Sequence, residues 1–76
     1  MHLADQIEVN PQVMRGKPVI RGTRIPVELL LRKLAGGATG QTLIEAYPQL
    51  TPADIQAALA YAAEALSFEH AETHAV

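Results

Sequence analysis

The sequence predicts a mainly α domain with a small N-terminal β-hairpin, and three observations carry that expectation. Residues 6–27 alternate short β-rich runs with Gly, Pro and Asn. Residues 27–66 show apolar residues at helical spacing, broken by Gly36-Gly37 and Pro48. A strong helix-start signal, Thr51-Pro52-Ala53-Asp54, precedes an alanine-rich run.

In the first part, Gln6-Ile7-Glu8-Val9 alternates polar and apolar residues, as a half-buried strand does. Asn10-Pro11 signals a turn. Pro18-Val19-Ile20-Arg21 and Arg24-Ile25-Pro26-Val27 read as hairpin arms joined through Gly22-Thr23. Glycine at the first of two linking positions predicts a type II′ turn, with Arg21 and Arg24 beside the tip. Pro18 and Pro26 cannot donate to a ladder and belong at an edge or a strand end.

Three helices follow. Val27, Leu30, Leu31 and Leu34 form one apolar stripe, and Gly36-Gly37 ends it with a residue that adopts the left-handed conformation cheaply. Arg32 and Lys33 lie in its last turn, where cations suit the helix dipole. The second helix runs from Gly40 to Tyr47, capped by Thr39 and stopped by Pro48, with Leu43, Ile44 and Tyr47 inward. The third combines an N-cap at Thr51, proline at the first helical position and an acid three residues after the cap. Ile55, Ala58, Leu59, Ala62 and Leu66 form its expected inner face, and residues 67–76 read as a polar tail. Helix, short helix, tight turn and longer helix is the layout of a helix-turn-helix unit, and the hairpin would make it a winged one. With 76 residues, the expectation is a single domain.

Charge is divided along the chain. All six Lys and Arg lie between Arg15 and Lys33, against Glu28 alone, a formal +5. Residues 34–76 carry five acids and no base, and Asp5 and Glu8 bring the total to −2. Such a cluster points to a polyanion or an acidic protein surface. Arg15, Lys17, Arg21, Thr23, Arg24, Arg32 and Lys33, with Gln56 on the third helix, are the candidate DNA contacts. Arg15 or Arg24 also suits an acidic protein pocket. An acidic, alanine-rich third helix suits phosphate poorly, which argues against simple major-groove reading. Ala57, Tyr61, Ala65 and Phe68 are the candidate protein interface, because small residues let helices approach closely.

Catalysis is not expected: there is no cysteine, Ser67 is the lone serine, and the three histidines lie outside residues 3–69. His70 and His74 stand at i, i+4, but two ligands do not make a metal site, so no metal or cofactor is expected. Gly16-Lys17-Pro18 is not a phosphate-binding loop, since proline replaces the hydroxyl residue. No apolar run reaches the roughly 18 residues of a membrane span, and Met1–Asp5 lacks a signal peptide's pattern, so a cytoplasmic location is expected. A domain this small buries only about 60–65% of its unfolded surface, which makes a homodimer the expected state.

The run Gly16-Lys17-Pro18-Val19-Ile20-Arg21-Gly22-Thr23-Arg24-Ile25-Pro26-Val27 resembles the signature of the bacterial domain of unknown function 433 family. Tyr47-Pro48-Gln49-Leu50-Thr51-Pro52-Ala53-Asp54-Ile55, with Ala58-Leu59-Ala60-Tyr61-Ala62, resembles its second block. The resemblance implies a homeodomain-like or winged helix-turn-helix trihelical domain. It also implies an antitoxin-like role beside a PIN-like ribonuclease toxin, of the VapB/VapC kind, with operator DNA as a further partner. A stand-alone DNA-binding regulator and a protein-only interaction module are the alternatives. The chain departs from the family at Thr39-Gly40-Gln41-Thr42, where relatives open the second helix with acids.

Overall fold

The computed structural model describes residues 3–70, with side chains described over 5–67. Two short strands and a set of helices share one core, in the order α1 (Leu3–Gln6), β1 (Ile7–Glu8), β2 (Val19–Ile20), α2 (Val27–Ala35), α3 (Gly40–Ala46) and α4 (Pro52–His70). The fold is mainly α with a two-stranded antiparallel sheet at its N-terminal end, as the sequence predicts. The four-residue α1 has too little pattern to be read in advance.

The sheet is built differently from the expected hairpin. β1 pairs with β2 across the connection 9–18, Ile7 opposite Ile20 and Glu8 opposite Val19. The two predicted arms do meet, but only as an isolated bridge between Val19 and Pro26, beside a 3.0 Å bond from the Ile20 amide to the Ile25 carbonyl. The turn between them is wider than a two-residue link. The Thr23 amide donates to the Ile20 carbonyl at 3.0 Å, so Gly22, with φ of +80°, occupies the third turn position. That position takes positive φ in a type II turn, which replaces the expected type II′. Thr23 decides the difference: its hydroxyl donates to the Ile20 carbonyl at 2.7 Å and accepts from the Ile25 amide at 3.0 Å.

α2 ends in a Schellman motif. Gly37, at φ +108°, lets its own amide reach the Leu34 carbonyl and the Ala38 amide reach that of Lys33. The departure at residues 39–42 leaves α3 well capped. The Thr39 hydroxyl accepts from the Thr42 amide at 3.1 Å, and the Thr42 hydroxyl accepts from the Thr39 amide at 2.9 Å. Thr51 and Asp54 make the same reciprocal pair at the start of α4, at 3.2 and 3.1 Å.

The core joins Ile7 and Ile20 of the sheet, Ile25 from the segment before α2, Val27 and Leu30 of α2, Leu43 of α3, Leu50, and Ile55, Ala57 and Ala58 of α4. α4 touches α1, β1, α2 and α3, so it is the central element of the fold. Its inner arc is therefore centred on Ile55, Ala57 and Ala58, with Tyr61 packed against the core. Leu59 and Leu66, expected to face inward, are 48% and 56% exposed. α4 also runs four residues past the expected end at Leu66, because no breaker stands between Leu66 and His70. The residues 71–76, including His74, lie outside the described residues.

Candidate functional site

The basic segment is laid over the sheet, the turn that follows it and α2, and its cations divide into two groups. Three are committed within the molecule. Arg21 follows β2 and its Nε donates 2.9 Å to the Asp5 carbonyl, while one Nη reaches the Ile7 carbonyl at 3.4 Å. It thereby ties α1 and β1 to the turn. Lys17 and Arg32 both reach Glu28, at 3.3 and 2.8 Å. Arg32 is one helical turn from Glu28, so that pair is local; Lys17 reaches it from the segment before β2, eleven positions earlier. Hydrogen bonds from Arg32, and then from Lys17, hold the Glu28 carboxyl below its ordinary pKa. Glu28 is thus held by Lys17 and Arg32 together.

The other three, Arg15, Arg24 and Lys33, make no hydrogen bond or ion pair among the described residues. Arg15 is presented in an unusual way. Met14, Arg15 and Gly16 form a left-handed turn with φ of +50°, +58° and +84°, closed by bonds from Gly16 to Val13 and from Lys17 to Met14. Non-glycine residues rarely hold this conformation, because Cβ crowds the following carbonyl oxygen. Arg15 is exposed on this turn.

Arg24 borders an open depression of about 590 Å³, shared with Glu8, Val13, Thr23, Ile25 and Gln49. Three connections converge there: the one between β1 and β2, the turn before α2 and the turn between α3 and α4. Sequence reasoning missed Glu8, Val13 and Gln49 as site residues. Alternation placed Glu8 outward on a strand, but nothing local joins it to Arg24, sixteen positions on.

The remaining candidates sit elsewhere. The Thr23 hydroxyl is occupied within its turn, which makes it a structural residue first. Gln56 is exposed on α4 and lines a separate groove of about 320 Å³ with Gln41, Ile44 and Leu59. Ala57 is wholly buried in the chain's own core, so its place in an interface is corrected: α1, β1 and α2 already surround that side of α4. Tyr61 is half-buried against the core and Ala65 is exposed. Phe68 lies within α4, but its side chain, like that of His70, is outside the described residues. No group of three or more metal-ligating side chains occurs among the described residues. None of the described helices is long and apolar enough to cross a membrane.

The fold and this site define a small, mainly helical domain whose uncommitted cations flank the sheet and the first long helix. The chain belongs to the family described as "Protein of unknown function (DUF433)", whose model matches residues 7–62. It is 38% identical over 53 residues to the uncharacterised protein y4eO of Sinorhizobium fredii, covering 70% of this chain and 24% of the relative. A crystal structure of a DUF433 member from Anabaena variabilis superposes with a TM-score of 0.77 at 39% identity, over 82% of this chain and 61% of that one. The chain thus spans about a quarter of the curated relative's length and three-fifths of the crystallised one.

Proposed function

We propose that this chain is an antitoxin-like protein that binds and neutralises a PIN-like ribonuclease toxin in the cytoplasm. The observation that carries the reading is the split among the cations. Arg21, Lys17 and Arg32 serve the fold, whereas Arg15 and Arg24 are exposed on loops and unpaired among the described residues. A guanidinium offered on a loop is suited to bidentate capture of a carboxylate, and PIN-like pockets are acidic at the family level. α4 supports a protein partner over base reading. Its first turn is acidic and self-capped, and its inner side is buried under its neighbours. Its outward Leu59 and Leu66 suit a homodimer contact.

Co-expression with the adjacent open reading frame tests the reading. The expected result is co-purification and relief of growth arrest, both weakened by Arg15→Ala with Arg24→Ala. Failure to co-purify sinks it. A second reading, a DNA-binding regulator of its own operon or a stand-alone one, draws on the same free cations together with Lys33. Fluorescence anisotropy over a salt series separates the two. Phosphate contact predicts a slope that flattens by about one unit per cation removed, and absence of binding at low salt ends the DNA reading.

A further inference from the structure

We infer that the depression bordered by Arg24 and Glu8 is a docking site for a short extended polypeptide segment that carries a carboxylate beside an aliphatic side chain. The inference rests on the proposed protein-binding role and names the part of the partner that is held. Two opposite charges line this one depression, and neither makes an ion pair with the other or with any described residue. Between them, Val13 and the buried Ile25 contribute apolar surface, and Gln49 adds an amide. The Gly22 and Arg24 amides also donate to no acceptor among the described residues.

This pattern fits a peptide better than a nucleic acid. A carboxylate pairs with the Arg24 guanidinium, a backbone N–H donates to Glu8, and an aliphatic side chain covers Val13 and Ile25. A polyanion would gain Arg24 but meet Glu8, whose negative charge opposes a second phosphate. The walls are connections rather than helices, which is where a rigid scaffold usually places its binding groups. The depression is open at Gly22, where an added Cβ would meet nothing within 4 Å.

The test is an NMR titration of the labelled full chain with acetyl-Leu-Asp-Leu-amide, up to about 10 mM, a range in which millimolar affinity is measurable. Saturable amide shifts confined to Glu8, Val13, Gly22–Ile25 and Gln49 are expected. Acetyl-Leu-Asn-Leu-amide and acetyl-Gly-Asp-Gly-amide should each bind less tightly. Arg24→Gln, at an exposed and unbonded position, should weaken the Asp peptide about tenfold while keeping the spectrum dispersed, and Arg24→Lys should weaken it less. Shifts centred on the α3–α4 groove, equal binding of the Asn peptide, or oligothymidylate binding at the same residues would each overturn the inference. So would the lack of a saturable response. None of these results bears on co-purification, so the antitoxin-like reading stands or falls by its own experiment.

Discussion

Arg15 gives the sharpest test of the backbone. Its φ of +58° and ψ of +33° place a long-chain cation in the left-handed region, with Met14 before it at φ +50°. Left-handed geometry costs a non-glycine residue about 1–2 kcal/mol. Glycine escapes that cost, but gives back about 0.5–1 kcal/mol through the greater freedom of its unfolded chain. Arg15→Gly should therefore be more stable than Arg15→Ala by about 0.5–1 kcal/mol, an inversion of the usual order in which glycine is the poorer residue. Both variants lose the same side chain, and Arg15 has no ion pair to lose among the described residues, so the comparison isolates the backbone. Urea unfolding at fixed protein concentration reads the difference, and thermal melts should separate the pair by roughly 2–8 °C at this chain length. If Arg15→Ala equals or exceeds Arg15→Gly, the turn is not left-handed in solution and the argument for a strained presentation of Arg15 fails.

Leu30 of α2 is fully buried in the core, so Leu30→Ala should cost about 2–5 kcal/mol, enough to unfold much of so small a domain; circular dichroism and a shifted urea midpoint check it. Thr39→Ala removes one half of the α3 cap and should cost about 1 kcal/mol, measured the same way, with Thr42→Ala non-additive because the two hydroxyls serve one motif. Glu28 has a depressed folded pKa, so its contribution is full above the ordinary carboxylate value near 4.5 and fades as pH falls through the lower folded value. Glu28→Gln should flatten that acid limb in stability-versus-pH curves, and salt should mute the wild-type limb because the group is exposed; an unchanged limb would show that the Lys17 and Arg32 contacts carry no weight.

What the sequence revealed was mostly local in origin. The α4 start is legible because Thr51, Pro52 and Asp54 act within one turn, and the α2 end because Gly37 supplies a conformation that few other residues adopt readily. The turn at Arg21–Arg24 was misread in type because the deciding contact is the Thr23 hydroxyl, which bonds two backbone groups that composition does not link. Helical periodicity marked α4 but set Leu59 and Leu66 inward, since spacing fixes a stripe only up to rotation, and the neighbours α1, β1 and α2 choose the arc. The cation cluster was visible as a count. Its division was not, because Lys17 meets Glu28 across eleven positions and Arg21 meets Asp5 across sixteen. Glu8 and Gln49 reach the Arg24 depression through tertiary closure alone.

Since α4 touches α1, β1, α2 and α3, none of these four can peel away without stripping a flank of it. Cooperative melting follows: amide protons of α4 and β2 should exchange by the same global opening, whereas the 9–18 connection and the Gly36–Thr39 turn are free to open alone. A segment that must adapt to a visitor is thus kept apart from the spine that must not yield.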